Sequence, residues 1–301
     1  MLVGYLSVRY GPLTRQTMKS LGEFTMAVSL PCALFTAVST RNFAEVVNLN
    51  YLLTLGLAGS LTQLVTWAVV GLIGTGPKRK ALAVLAAAMP NSVFLGFPIF
   101  LMVIPDHAGP VVAMNLLIEN IVLIPVGMIL LARADEASQG ETALRVIGRS
   151  FVTMLKRPLI IGLLLGLAVV VLGITPPEEV VRFTSLLGQA SAPLALVVIG
   201  GSLFGLNLKG DLTLATLIAA AKMVVHPVLI LAMLSLLTTL GVVTLGPELT
   251  LALLLTGALP TFSIFVLFAQ EAGHEGLASL ALLIATVFSF VTINATLILM
   301  L

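Results

Sequence analysis

Apolar residues run along this chain in long blocks, separated by small groups of charged residues. Windows almost free of charge cover 21–39, 51–74, 81–104, 109–132, 152–174, 181–206, 212–239, 247–270 and 276–300. Each is close to the ~20 residues a helix needs to cross a hydrocarbon core. None shows the short alternating segments of a membrane barrel. The opening stub at 1–8, "MLVGYLSV", is too short to span and reads as an incomplete first helix. The pattern predicts an all-α polytopic membrane protein on a ten-helix plan. A polar stretch at 133–150, "RADEASQGETALRVIGRS", separates residues 1–132 from 151–301. Its later part puts Leu144, Ile147, Phe151 and Leu155 on one helical face, with Arg145, Arg149 and Lys156 off it. That predicts an interfacial amphipathic turn or two.

Composition agrees. The 301 residues are 59% apolar and 9% charged, against roughly 25% charged in a soluble domain. The charge that remains is unevenly placed. Arg9, Arg15, Lys19, Lys78, Arg79, Lys80, Arg133, Arg145, Arg149, Lys156, Arg157 and Lys209 fall in alternate loops, and only Arg41 and Arg182 in the opposite ones. Cations favour cytoplasmic loops, so both termini are expected outside a plasma (inner) membrane. The single cysteine, Cys32, cannot form an internal disulfide, and no ligand cluster suggests a metal or cofactor. No glycine loop of the Walker type appears, and nothing points to nucleic acid.

Two motif pairs divide the chain. "SLPCAL" at 29–34 matches "SAPLAL" at 191–196, and "AMPNSVFL" at 88–95 matches "ALPTFSIF" at 258–265, at offsets of 162 and 170 residues. With five helices in each half, the second copy enters the membrane upside down. The expected fold is therefore a 5+5 inverted repeat, with one proline-broken span per half at Pro90 and Pro260. Proline removes a backbone donor and clashes with the preceding turn. Broken backbone is tolerated at membrane depth only inside protein or beside a wet cavity. Inverted repeats with paired broken helices are a recurrent plan of secondary transporters, and half-helix ends hold anions there.

Three ionisable residues lie at depth. Glu119 is about nine residues into its span, ~14 Å at the helical rise, and Lys222 lies at similar depth in its own. His226 follows Lys222 by four residues and shares its face. Ionisable groups at midplane are expensive, which makes them candidates for charge and proton coupling. Gln189, Ser191 and Gln63 are candidates to line a cavity. Asn115, Asn120 and Asn294 read as interhelical hydrogen-bonding residues. "GLLLG" at 162–166 and Trp67 read as packing.

"PNSVFLGFPIF" at 90–100, "SLPCALF" at 29–35 and the "ALP" break at 258–260 resemble the auxin efflux carrier family over the whole chain. Asn91, Phe94, Leu95, Gly96 and Pro98 carry the most specific part. The resemblance implies a ten-helix inverted-repeat transporter with scaffold and crossover domains, related in fold to bile-acid symporters. It implies transport of organic anions such as indole acetate or malonate, by alternating access of the elevator type, in a homodimer. By motif position Asn91 would hold the substrate carboxylate. Ser92, Thr261, Ser263 and Gln189 are the other expected contacts. The chain departs from a symmetric pattern in having Thr261 where a second amide would mirror Asn91.

A proton-coupled or potential-driven carrier is therefore expected. Its rivals are a sodium-coupled symporter of the bile-acid type and a ligand sensor that keeps the fold without turnover. Around Pro260 the oxygen set of Thr261 and Ser263 is thin for sodium. An intramembrane enzyme lacks its usual residues: there is no His-Glu-x-x-His, no paired midplane aspartate and one cysteine.

Overall fold

The computed structural model describes residues 1–41, 47–134, 142–202, 204 and 211–300. Residues 135–141 of the expected linker, Lys209 and the end of the expected 181–206 span lie outside the described residues. Among those described, the chain is helical and forms no strand. The helices are α1 (Leu2–Arg9), α2 (Arg15–Ser39), α3 (Leu49–Ile73), α4 (Pro77–Ala87), α5 (Ser92–Val103), α6 (Ala108–Ala134) and α7 (Ala143–Leu155). They continue as α8 (Pro158–Val171), α9 (Glu178–Ser202), α10 (Leu212–Thr239), α11 (Pro247–Ala258), α12 (Phe265–Glu271) and α13 (Glu275–Met300). Six of them, α2, α3, α6, α9, α10 and α13, are long and apolar enough to cross a membrane. Helices α5 and α11 are shorter apolar rods.

One expected span begins later than the hydropathy suggested. Residues 152–155 finish the amphipathic α7, and α8 starts at Pro158. Arg157 is extended, at φ −72° and ψ 128°, because a proline ring clashes with a helical residue before it. Hydropathy alone does not register that turn.

Prolines act in two ways here. Pro31, Pro98, Pro125 and Pro227 each follow, by two residues, a five-residue π turn: Thr25–Ser29, Ser92–Gly96, Glu119–Leu123 and Ala221–Val225. The amides of Leu30, Ile124 and His226 reach back five residues, to the carbonyls of Thr25, Glu119 and Ala221. The wider turn makes room for the ring, so the span continues through the proline. At Pro90 and Pro260 the helix stops instead. Leu259 is extended, at ψ 147°, and the chain runs irregularly until Phe265.

The chain forms two compact units, each drawn from both halves of the sequence. The first comprises 1–48, 93–114 and 153–206, and the second 49–92, 115–152 and 207–301. In the first, small residues let helices approach closely. A Cβ on Gly162 of α8 would sit 2.5 Å from the Pro31 carbonyl oxygen of α2, so the first glycine of "GLLLG" is a packing position. Thr36 donates to Thr184 at 2.8 Å, tying α2 to α9. Arg41 and Asp106 pair at 2.8 Å in exposed loops of this unit. The second unit has an apolar core built from α4, α6, α10, α12 and α13, centred on Leu82, Leu85, Met89, Ile218, Phe265 and Ala281.

Candidate functional site

The two chain breaks meet inside the second unit. Asn91 donates its amide to the Pro260 carbonyl at 2.8 Å, and Phe262 donates to the Met89 carbonyl at 3.1 Å. Pro90 and Thr261 thus face each other as an antiparallel bridge. A broken helix leaves its last carbonyls without intrahelical donors, and buried ones must find others. Here they do. Gly257 accepts from the Lys222 ammonium at 2.8 Å, Ala258 from the Thr292 hydroxyl at 2.9 Å, and Ala86 from the Thr261 hydroxyl at 2.9 Å.

Behind the bridge lies a buried polar network with a determinable direction. The Tyr51 hydroxyl donates to Asn115 Oδ1 at 2.8 Å, because a carbonyl oxygen can only accept. Asn115 Nδ2 donates to Thr256 Oγ1 at 3.0 Å and to Ser92 Oγ at 3.2 Å. The Thr256 proton is then directed to the Tyr51 oxygen, 3.1 Å away, which closes a three-residue ring. Ser92 passes its own proton to Glu119 Oε1 at 2.5 Å. Tyr51, Asn115 and Thr256 are wholly inaccessible, and Ser92 and Glu119 are 1% and 5% exposed.

Glu119 and Lys222 each sit in a π turn, a distortion that recurs at functional positions. They are close enough to interact electrostatically, yet among the described residues neither forms an ion pair. His226 is fixed differently. Thr62 donates to the Ala58 carbonyl at 2.8 Å, so its oxygen accepts from His226 Nδ1 at 2.9 Å. That assigns the Nδ1–H tautomer and, among the described residues, leaves buried Nε2 without a hydrogen-bond partner.

The expected anion contacts divide. Asn91 is 5% exposed and donates Nδ2 to Ser263 Oγ at 3.0 Å. Ser263 accepts there, so its hydroxyl proton stays available. Thr261 has committed its only proton to Ala86, and Ser92 its own to Glu119. Gln189 lies exposed in the first unit, bonded to Ser185 at 3.3 Å. Gly96 is buried, also in the first unit. Gln63 is buried and donates to the Leu123 carbonyl at 2.9 Å. Asn120 and Asn294 bond carbonyls of their own helices, at 2.8 and 2.6 Å. Trp67 is 45% exposed, with the Lys80 ammonium 3.7 Å from its ring centroid.

Sequence reasoning passed over Tyr51 and Thr256. Tyr51 carries a signal in retrospect: of three tyrosines it is the one inside an expected span, and a buried phenol needs a hydrogen-bond partner. Thr256 carries none. Outside the spans, burial, then Arg79 and Lys78, push His274 below its ordinary value of 6.5. The Arg41 hydrogen bond and charge hold Asp106 low.

A family model described as membrane transport protein matches residues 1–297. Its relatives include two of note. One, named "Putative malonate transporter", from Rhizobium meliloti, is 28% identical over 98% of this chain and 91% of its own length. The other is the lysosomal cholesterol signaling protein of Mus musculus, 24% identical over 78% of this chain. The match covers 29% of that mouse protein. Spans, breaks and family match together place this chain in the membrane transport protein family, the auxin efflux carriers that its motifs resemble.

Proposed function

We propose that the protein is a secondary carrier for a small organic anion, a carboxylate of the malonate class. The anion is held beside the paired breaks, and the carrier works by elevator-type alternating access between the inverted repeats. The observation that carries this reading is the bridge of Asn91 and Phe262 to Pro260 and Met89. Beside it, half-buried Ser263 keeps its hydroxyl proton, Asn91 keeps a second Nδ2 proton, and the Lys222 ammonium holds the Gly257 carbonyl three residues before Pro260. A carboxylate accepts from such donors, and hydrogen bonds to charged groups are the strong ones. Among the described residues, Lys222 gives one of its three protons to protein, leaving two for an anion. The repeat is supported by the motif pairs and by matching helix order: α2 and α9 are each 25 residues long.

Coupling is to protons or to membrane potential. An ammonium near the break repels a mobile cation, which disfavours sodium. Asn115 Nδ2 donates to Ser92, which donates to Glu119, so the carboxyl that would take the proton ends a directed hydrogen-bond chain.

The test is uptake of radiolabelled malonate into proteoliposomes under an imposed potential or pH gradient, with and without sodium. Saturable, sodium-independent accumulation is expected. Strict sodium dependence would overturn the coupling, and no flux of any mono- or dicarboxylate would overturn the carrier. A second reading, a ligand sensor, draws on the mouse relative's name. It predicts binding without accumulation.

A further inference from the structure

Given the carboxylate site proposed above, charge near the paired breaks does not balance once an anion is bound. Lys222 is the buried cation there and Glu119 the buried anion, and the two interact electrostatically. A carboxylate held beside Asn91 and Ser263 adds a second negative charge for a single ammonium. Coulomb energies grow as the effective dielectric falls, so a buried surplus of charge is costly. Taking up a proton removes it.

Glu119 is built to receive that proton. Oε1 accepts the Ser92 hydroxyl at 2.5 Å. Among the described residues Oε2 has no hydrogen bond, and 5% of the residue stays exposed. Ser92 Oγ accepts from Asn115 Nδ2 at 3.2 Å, so its own proton is all it can donate. Asn115 is engaged on both amide protons and on its carbonyl, by Thr256, Ser92 and Tyr51. An ionised Glu119 therefore holds the Ser92 proton in a charge-assisted bond, roughly twice as strong as a neutral one. A protonated Glu119 loosens it. Ser92 directly follows Asn91, whose backbone makes the bridge and whose side chain reaches Ser263.

We propose that Glu119 takes up one proton with each carboxylate bound, and that Ser92 then turns its hydroxyl proton from Glu119 to the anion. One O–H bond forms, on Glu119, with a proton drawn from water. Ser92 keeps its covalent proton and changes only the acceptor. Anion and proton therefore bind with reciprocal favour, which selects proton coupling over a potential-driven uniport.

The groups that face Glu119 leave this assignment intact. Lys222 of α10 supplies the ammonium, and His226, one turn on, is a neutral imidazole held by Thr62. Helix α3 brings the Tyr51 phenol, which gives its proton to Asn115. Helix α4 carries its charge, Lys78, Arg79 and Lys80, in its first turn.

The test is calorimetric titration of the full-length protein with malonate, in buffers of different ionisation enthalpy, at about pH 8. That lies above the ordinary carboxylate range, so the ligand stays ionised. The parent should take up about one proton per anion bound. Glu119→Gln, neutral at any pH, should bind without uptake and with an affinity that no longer weakens toward alkaline pH. Ser92→Ala should keep the uptake and bind about tenfold more weakly.

Binding without uptake in the parent, or uptake retained in Glu119→Gln, would overturn the proton step and leave the carboxylate site standing. Parent-like affinity in Ser92→Ala would overturn the hydroxyl's turn. No saturable binding at any pH would overturn the site and this coupling together. Difference infrared spectra of the parent with isotope-labelled malonate give a readout that needs no variant. A protonated-carboxyl stretch from protein should appear on binding, and its absence would contradict uptake by Glu119.

Discussion

Tyr51→Phe is the sharpest probe of the buried network. The substitution removes one oxygen and almost no volume, so it opens no cavity. It leaves Asn115 Oδ1 without the donor that lies 2.8 Å away in the parent. The Thr256 hydroxyl also loses its acceptor at 3.1 Å, though a threonine in a helix can turn back to its own backbone. An unsatisfied buried acceptor costs about 1–3 kcal/mol, while polar contacts in membrane proteins average about 0.6 kcal/mol. The expected cost is therefore about 1–2 kcal/mol. At about 2–4 °C per kcal/mol for a chain of this order, the midpoint should fall by about 2–8 °C. Heating followed by size exclusion of the surviving fraction measures it. A cycle with Thr256→Val adds a second constraint. Both changes break the same ring, so together they should cost less than the sum, by about 0.5 kcal/mol or more. A midpoint within about 1 °C of the parent, or strict additivity with Thr256→Val, would refute the ring.

Other expectations follow from the same contacts. Lys222→Met should lower stability by about 1–3 kcal/mol, because the buried Gly257 carbonyl loses its donor, and should abolish the midpoint rise on adding malonate. Gly162→Leu should destabilise by about 1–3 kcal/mol or more, because even a Cβ meets the Pro31 carbonyl at 2.5 Å. Gly148→Ala, with open space around its Cβ, should be neutral or stabilising by up to about 1 kcal/mol, read from the unfolding midpoint. His274 has a depressed folded-state value. Its contribution is fully present above about 6.5 and is lost as pH falls through the folded value. The parent should lose stability across that window, and His274→Gln should flatten the profile.

Much of this architecture is written in the apolar windows and the prolines. Pro90 and Pro260 differ from Pro125 and Pro227 in outcome though not in residue type, and hydropathy cannot separate them. What separates them is the neighbourhood: five residues of π turn absorb the ring before Pro125, whereas Leu259 is extended before Pro260. Glu119 and Lys222 stood out because charge at depth is rare, and Asn91 because of its motif. Their partners did not. Thr256 looks like any threonine in an apolar helix, and its role exists only because Tyr51 and Asn115 arrive from 205 and 141 residues away in sequence. The start of α8 was misplaced because an amphipathic helix and the following span form one apolar window, and only Lys156, Arg157 and Pro158 divide them.

The central claim is that side chains at the joined breaks grip a carboxylate, and equilibrium binding of labelled malonate tests it most directly. The parent should bind saturably, and Asn91→Ala and Ser263→Ala should each weaken binding by about tenfold while their unfolding midpoints stay near the parent's. Parent-like affinity in both variants, or no saturable binding of any small carboxylate, would contradict the account.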